Sequence, residues 1–103
     1  MEFTSEERKL VYNLLSKVLR ADGKTNLNEA EWLYEVSFQL QITASEISQA
    51  LLMTGEDAAN HLKNLCVPKR ALLKEWLMKM AKVDGFADST ELELINQWFK
   101  EEL

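Results

Sequence analysis

Cysteine is nearly absent from this chain of 103 residues: Cys66 stands alone, so no internal disulfide can form, which fits a reducing compartment. Proline is as scarce, with Pro68 the only one, and there are three glycines. That supply of turn residues is too small for the frequent reversals of a many-stranded β fold. Long apolar runs are missing as well, since no stretch approaches the roughly 18 residues of a membrane span. The opening MEFTSEERKL is acidic and polar where a secretory signal would be basic and then apolar. The expectation is a cytoplasmic protein with no membrane insertion. Bases are outnumbered, 12 Lys and Arg against 17 Asp and Glu, and the net charge of −5 sets up a field that repels phosphate backbones. Nucleic acid is therefore not an expected partner.

What is present favours helix. A hydrophobic share of 47% beside 28% charged residues is a globular composition, and Leu, Ala, Glu and Lys are good helix formers. The length suits one domain, 1–103, whose core removes over half of the unfolded chain's surface from water. The strongest organising signal is a stretch that occurs twice. VLRADGKTNLNEAEWLYEVS (18–37) and MAKVDGFADSTELELINQWF (80–99) align at an offset of 62 positions, Asp22-Gly23 on Asp84-Gly85, Asn26 on Asp88, Glu29 on Glu91, Glu31 on Glu93 and Leu33 on Ile95. A duplicated unit of helix, acidic corner and helix is implied.

Along the chain, Thr4 and Glu7 have capping-box spacing, so a helix starts there. Leu10, Leu14, Val18 and Ala21, with Val11 and Leu15, form its apolar stripe. Arg8, Lys9, Ser16, Lys17 and Arg20 take the wet side, the pattern of a surface helix that Gly23 ends near Asp22. Asn26 with Glu29, or Asn28 with Glu31, opens the next helix, which turns Ala30, Leu33, Val36 and Leu40 inward and widens that stripe with Trp32 and Phe38. Thr43 with Glu46 caps a short helix carrying Ile47, Ala50 and Leu51, and Thr54 with Asp57 caps another over 56–63. Pro68 suits the first position of a helix whose face is Leu72, Leu73, Trp76, Leu77, Met80 and Ala81 and which Gly85 stops. Asp88 with Glu91 caps the last helix, facing inward through Leu92, Ile95, Trp98 and Phe99. The predicted fold is an all-α compact bundle of about six helices, two long outer pairs around a short central pair.

The corners are where chemistry could reside. An aspartate at a helix C-terminus, as expected for Asp22 and Asp84, is disfavoured by the helix dipole by a few tenths to about 1 kcal/mol. Either loop amides donate to each carboxylate and staple the corner, or a divalent cation joins it to oxygens from Asn26, Asn28, Asp88 or a following glutamate. The corners are not EF-hand loops, because Gly is second, Lys24 or Phe86 third, and Leu33 or Ile95 twelfth. His61 and Cys66, five apart, miss the spacing of one helical face and have no acid placed to orient them, so a surface histidine and a core cysteine are expected. The three tryptophans fall on or beside core stripes; Trp32, at the flank of its stripe, is also a candidate exposed anchor. Lys69, Arg70 and Lys74 read as a solvated face or a docking patch for an acidic partner. Leu51, Leu52 and Met53 crowd one short helix, filling core or leaving one side chain for a partner.

LRADGKTNLNEAEWLYEV and AKVDGFADSTELELINQW resemble the paired A-D-G, variable turn, acid-bearing helix motifs of the TerB-like domain. That family is named from bacterial tellurite-resistance proteins and is similar to the amino-terminal region of membrane-anchored DjlA-type co-chaperones. The resemblance covers nearly the whole chain. It implies an all-helical bacterial domain linked with stress response, with an acidic surface suited to divalent metal and a function exerted through other proteins. By position, the acidic corner residues it implies are Asp22, Glu29 and Glu31 in the first unit and Asp84, Asp88, Glu91 and Glu93 in the second. Asn26 stands where an acid is usual, which weakens the metal reading of the first corner, and Val83 replaces the alanine before Asp84. One cysteine and one histidine supply no soft-metal site, so no tellurite chemistry follows. The expected function is a non-catalytic protein-interaction module, using the acidic corners and the central hairpin. The alternative is a weak divalent-metal sensor or buffer. A hydrolase with paired carboxylates ranks behind both, and neither a small-molecule substrate nor a firm cofactor beyond that cation is expected.

Overall fold

Helix starts are written into the chain locally, and in a computed structural model describing residues 2–21, 27–83 and 89–100 they become six helices among the described residues. These are α1 (Ser5–Leu19), α2 (Leu27–Gln39), α3 (Ala44–Leu52), α4 (Gly55–Asn64), α5 (Val67–Lys82) and α6 (Ser89–Trp98). Thr4, Thr43 and Thr54 each accept a hydrogen bond from the amide three residues on, while Glu7, Glu46 and Asp57 accept from the threonine amide in return. Each box satisfies two amides that a helix start otherwise orphans. Pro68 lies at the second position of α5 rather than the first, because Cys66 is the N-cap; its missing amide still costs little there. The expected corner residues Asp22, Gly23, Asn26, Asp84, Gly85 and Asp88 lie outside the described residues.

The bundle is all-α, as its composition requires, but α1 is no surface helix. It packs against every other helix, and Leu10, Val11, Leu14, Leu15 and Val18 are fully enclosed. Full burial of such a side chain is worth roughly 1.5–3 kcal/mol. Two adjacent aliphatic pairs, Leu10-Val11 and Leu14-Leu15, make the apolar sector wider than a single stripe. Ser16, expected in water, is buried and donates to the Asn13 carbonyl at 3.2 Å. One hydrophobic cluster joins α1 with α2, α4, α5 and α6 through Leu33, Val36, Leu62, Leu73, Leu77, Met80 and Ile95. A radius of gyration of 12.6 Å matches the roughly 13 Å of a compact chain this long.

Other expectations are corrected by angle. Phe38 follows Val36 by two residues, about 200° around the helix, so it points away from the core and is 77% exposed. Leu51 is likewise exposed next to buried Ala50. Cys66 is exposed, not core, since the turn before α5 spends its buried position on Leu65. Trp32, in contrast, is buried as packing predicts.

Candidate functional site

Helix α2 is apolar on both sides, and only one side has a use inside the bundle. Its inner face carries Trp32, Leu33 and Val36, all buried. The Trp32 indole donates to the Trp76 carbonyl at 3.0 Å, and the Lys79 ammonium lies 4.2 Å from the indole centroid, tying α2 to α5. The outer face presents Leu27, Tyr34 and Phe38, more than 70% exposed at each position. An exposed aromatic and aliphatic strip opposite a buried face is more apolar surface than the bundle itself covers.

Beside that outer face runs a groove of about 590 Å³. Tyr12 of α1 lines it, with Ala30, Leu33, Tyr34, Ser37 and Phe38 of α2, the turn Gln41, Ile42 and Thr43, and Ile47 of α3. The turn is a Schellman closure: the Ile42 amide donates to the Ser37 carbonyl at 3.0 Å and the Gln41 amide to the Phe38 carbonyl at 3.1 Å. Gln41 holds the left-handed position with φ 55°, a place that usually belongs to glycine. Strain is thus kept where the chain bends around the groove.

Polar contacts from α1 fix the helix opposite. At the start of α3, Glu46 accepts from Arg8 Nη2 at 2.6 Å, from Arg8 Nε at 3.1 Å and from Ser5 Oγ at 2.6 Å, besides the Thr43 amide at 3.0 Å. The Arg8 and Ser5 bonds, with the Thr43 amide, hold its carboxyl at a pKa of about 2, well below the usual value of 4.5 and against the opposing effect of burial. At the end of α3, buried Asn13 donates through Nδ2 to the carbonyls of Ala50 at 2.9 Å and Met53 at 3.3 Å. Both ends of α3 are held by α1, so the groove is preformed rather than assembled on contact.

The basic trio is not a solvated face. Lys69 Nζ pairs with Glu7 at 2.7 Å and lies 5.4 Å from the Phe3 ring centroid, Lys74 sits over Phe99, and Arg70 is half-buried. Burial raises the Glu7 pKa, but Lys69 and the Thr4 amide outweigh it and the carboxyl is lowered overall. These long-range pairs were out of reach of sequence reasoning; the only local signal was Arg8 and Glu46 each lying in a first helical turn.

Of the candidate metal residues, Asp22, Asp84 and Asp88 lie outside the described residues. Glu29 and Glu91 are 4% and 1% exposed, in the first turns of α2 and α6, whereas Glu31 and Glu93 are exposed two residues on. The two candidate glutamates of each helix therefore face in different directions. Among the described residues no three His, Cys, Asp or Glu side chains gather in a way that could hold a metal ion. His61 Nε2 lies 3.9 Å from Glu6, with Cys66 exposed at the start of α5. No helix among the described residues is long and apolar enough to cross a membrane. Comparison with family models, curated proteins and solved structures finds no match.

Proposed function

We propose that the chain is a non-catalytic protein-interaction module of the TerB-like kind, bacterial and stress-linked as that resemblance implies, with the groove beside α2 as its contact surface. The observation that carries this is the pair Tyr34 and Phe38, 74% and 77% exposed beside a preformed apolar groove. Large aromatic side chains that gain nothing from the fold are what interfaces concentrate at their centres. The groove's lining contains no carboxylate, imidazole, thiol or amine; its ionisable side chains are the phenols of Tyr12 and Tyr34. Leu51 and Leu52, the latter 82% exposed, form a second apolar area on the central hairpin.

The test is a photo-cross-linking amino acid placed at Phe38 or at Tyr34 in the full chain within its native host. A covalent adduct with a distinct polypeptide is expected, and it should be lost on pairing the label at Phe38 with Ile47→Asp. A folded, labelled protein that gives no adduct from either position overturns the proposal.

A further inference from the structure

We infer that the occupant of the groove is a basic amphipathic helix of a partner protein, laid along α2 with apolar anchors against Tyr34 and Phe38, an occupant that presupposes the interaction role proposed above. Charge is the first observation. Residues 25–62 contain no lysine or arginine, although the chain has 12 such residues, and they carry six acids. Of these, Glu29 and Glu46 are buried, and Glu46 is neutralised by Arg8. Of the four exposed acids, Glu56 and Asp57 lie on α4, which does not line the groove, while Glu31 and Glu35 each come three residues before one of the exposed aromatics and so beside it on the α2 surface. The groove itself is uncharged, and its α2 shoulder is purely acidic. A docking helix with lysines or arginines flanking its apolar stripe complements both features.

Spacing is the second observation. Tyr34 and Phe38 are one helical turn apart along the groove, the interval at which a helix packed alongside offers successive anchors. A second copy of the chain fits poorly. A two-fold contact through this face would bring two copies of the acidic α2 shoulder into one interface, between molecules that each carry −5. The left-handed Gln41 at the groove's end adds a built, rather than incidental, bend to the surface.

The experiment titrates the full chain against three labelled peptides of about 16 residues, long enough for four turns. The first has leucine and phenylalanine anchors at helical spacing flanked by lysines, the second the same anchors flanked by glutamates, and the third the lysine composition with its anchors scrambled. Saturable binding of the first alone is expected. Phe38→Ala should weaken it about tenfold or more, with the melting midpoint unchanged because Phe38 is exposed. Glu31→Lys with Glu35→Lys should weaken the lysine peptide about tenfold and let the glutamate peptide bind. Equal binding of the glutamate or scrambled peptide overturns the inference. So does a dimer in sedimentation that Phe38→Ala dissociates, which would make a second copy the occupant. A cellular cross-link from Phe38 without discrimination among peptides overturns the basic helix alone and leaves the interaction role standing; absence of both removes the two together.

Discussion

Gln41 holds a backbone conformation that costs an ordinary L-residue about 1–2 kcal/mol and glycine almost nothing. Replacing it by glycine relieves that strain but loosens the unfolded chain, so Gln41→Gly should stabilise the fold by about 0.5–1 kcal/mol net. Chemical denaturation reads this directly, and a lower midpoint would show that the glutamine side chain, not the backbone, sets the turn. Glu46 makes the sharper case. Its pKa falls on folding from 4.5 to about 2, so its contribution is complete above about pH 4.5 and disappears as the pH falls toward 2. Because the Arg8 side chain is a quarter exposed and water screens the pair, that contribution is about 2 kcal/mol. Glu46→Gln should lose that amount at neutral pH and flatten the decline between about pH 4.5 and 2, measured as midpoint against pH; parallel decline of both proteins would rule it out. Sequence revealed half of this residue. Its capping partner Thr43 is three positions away and legible, whereas Arg8 and Ser5 lie 38 and 41 positions away and meet it only because α1 and α3 pack together. Cys66 differs from expectation for a local reason: composition ranks cysteine as buried, but the turn before α5 sends Leu65 into the core instead.

At the scale of the element, caps were legible and orientations only partly so. A threonine and an acid three residues apart specify a helix start without help from the rest of the fold, and three such boxes formed as expected. The stop of α2 was not anticipated in kind, because nothing in Leu40-Gln41-Ile42 advertises a left-handed residue. In α2, hydrophobicity alone placed Phe38 inside, while helical geometry puts it outside and leaves the groove that carries the functional proposal. The wide apolar sector of α1 was present in the sequence, whereas the burial of Asn13 beside it was not, because its amide meets the Ala50 and Met53 carbonyls at the end of α3 only once α1 and α3 pack together. Asn13→Ala should therefore cost about 1–3 kcal/mol, since it strips a buried donor from the end of α3. Hydrogen exchange in α3 is the local readout. If α3 amides exchange no faster in the variant while the midpoint is also unchanged, Asn13 is only a filler.

Across the whole molecule, α5 and α6 begin 62 positions after α1 and α2, the offset at which the sequence matches itself. Burial keeps the same register: Val11 and Leu73, Leu15 and Leu77, Val18 and Met80, and Leu33 and Ile95 are all enclosed. The most informative pair is Glu29 and Glu91. Both are buried carboxylates in a first helical turn, where the dipole favours negative charge, yet burial of a charge is costly without compensation. If the two halves are copies of one unit, each glutamate does the same work at its corner. Glu29→Ala and Glu91→Ala should then each cost about 1–3 kcal/mol, similar to one another, and the double variant should show a near-additive loss, because the sites belong to separate pairs. Equilibrium denaturation of the three variants checks this. A neutral substitution at one site beside a severe one at the other would leave the helix register as coincidence, and strong non-additivity would mean that the two corners share one structure.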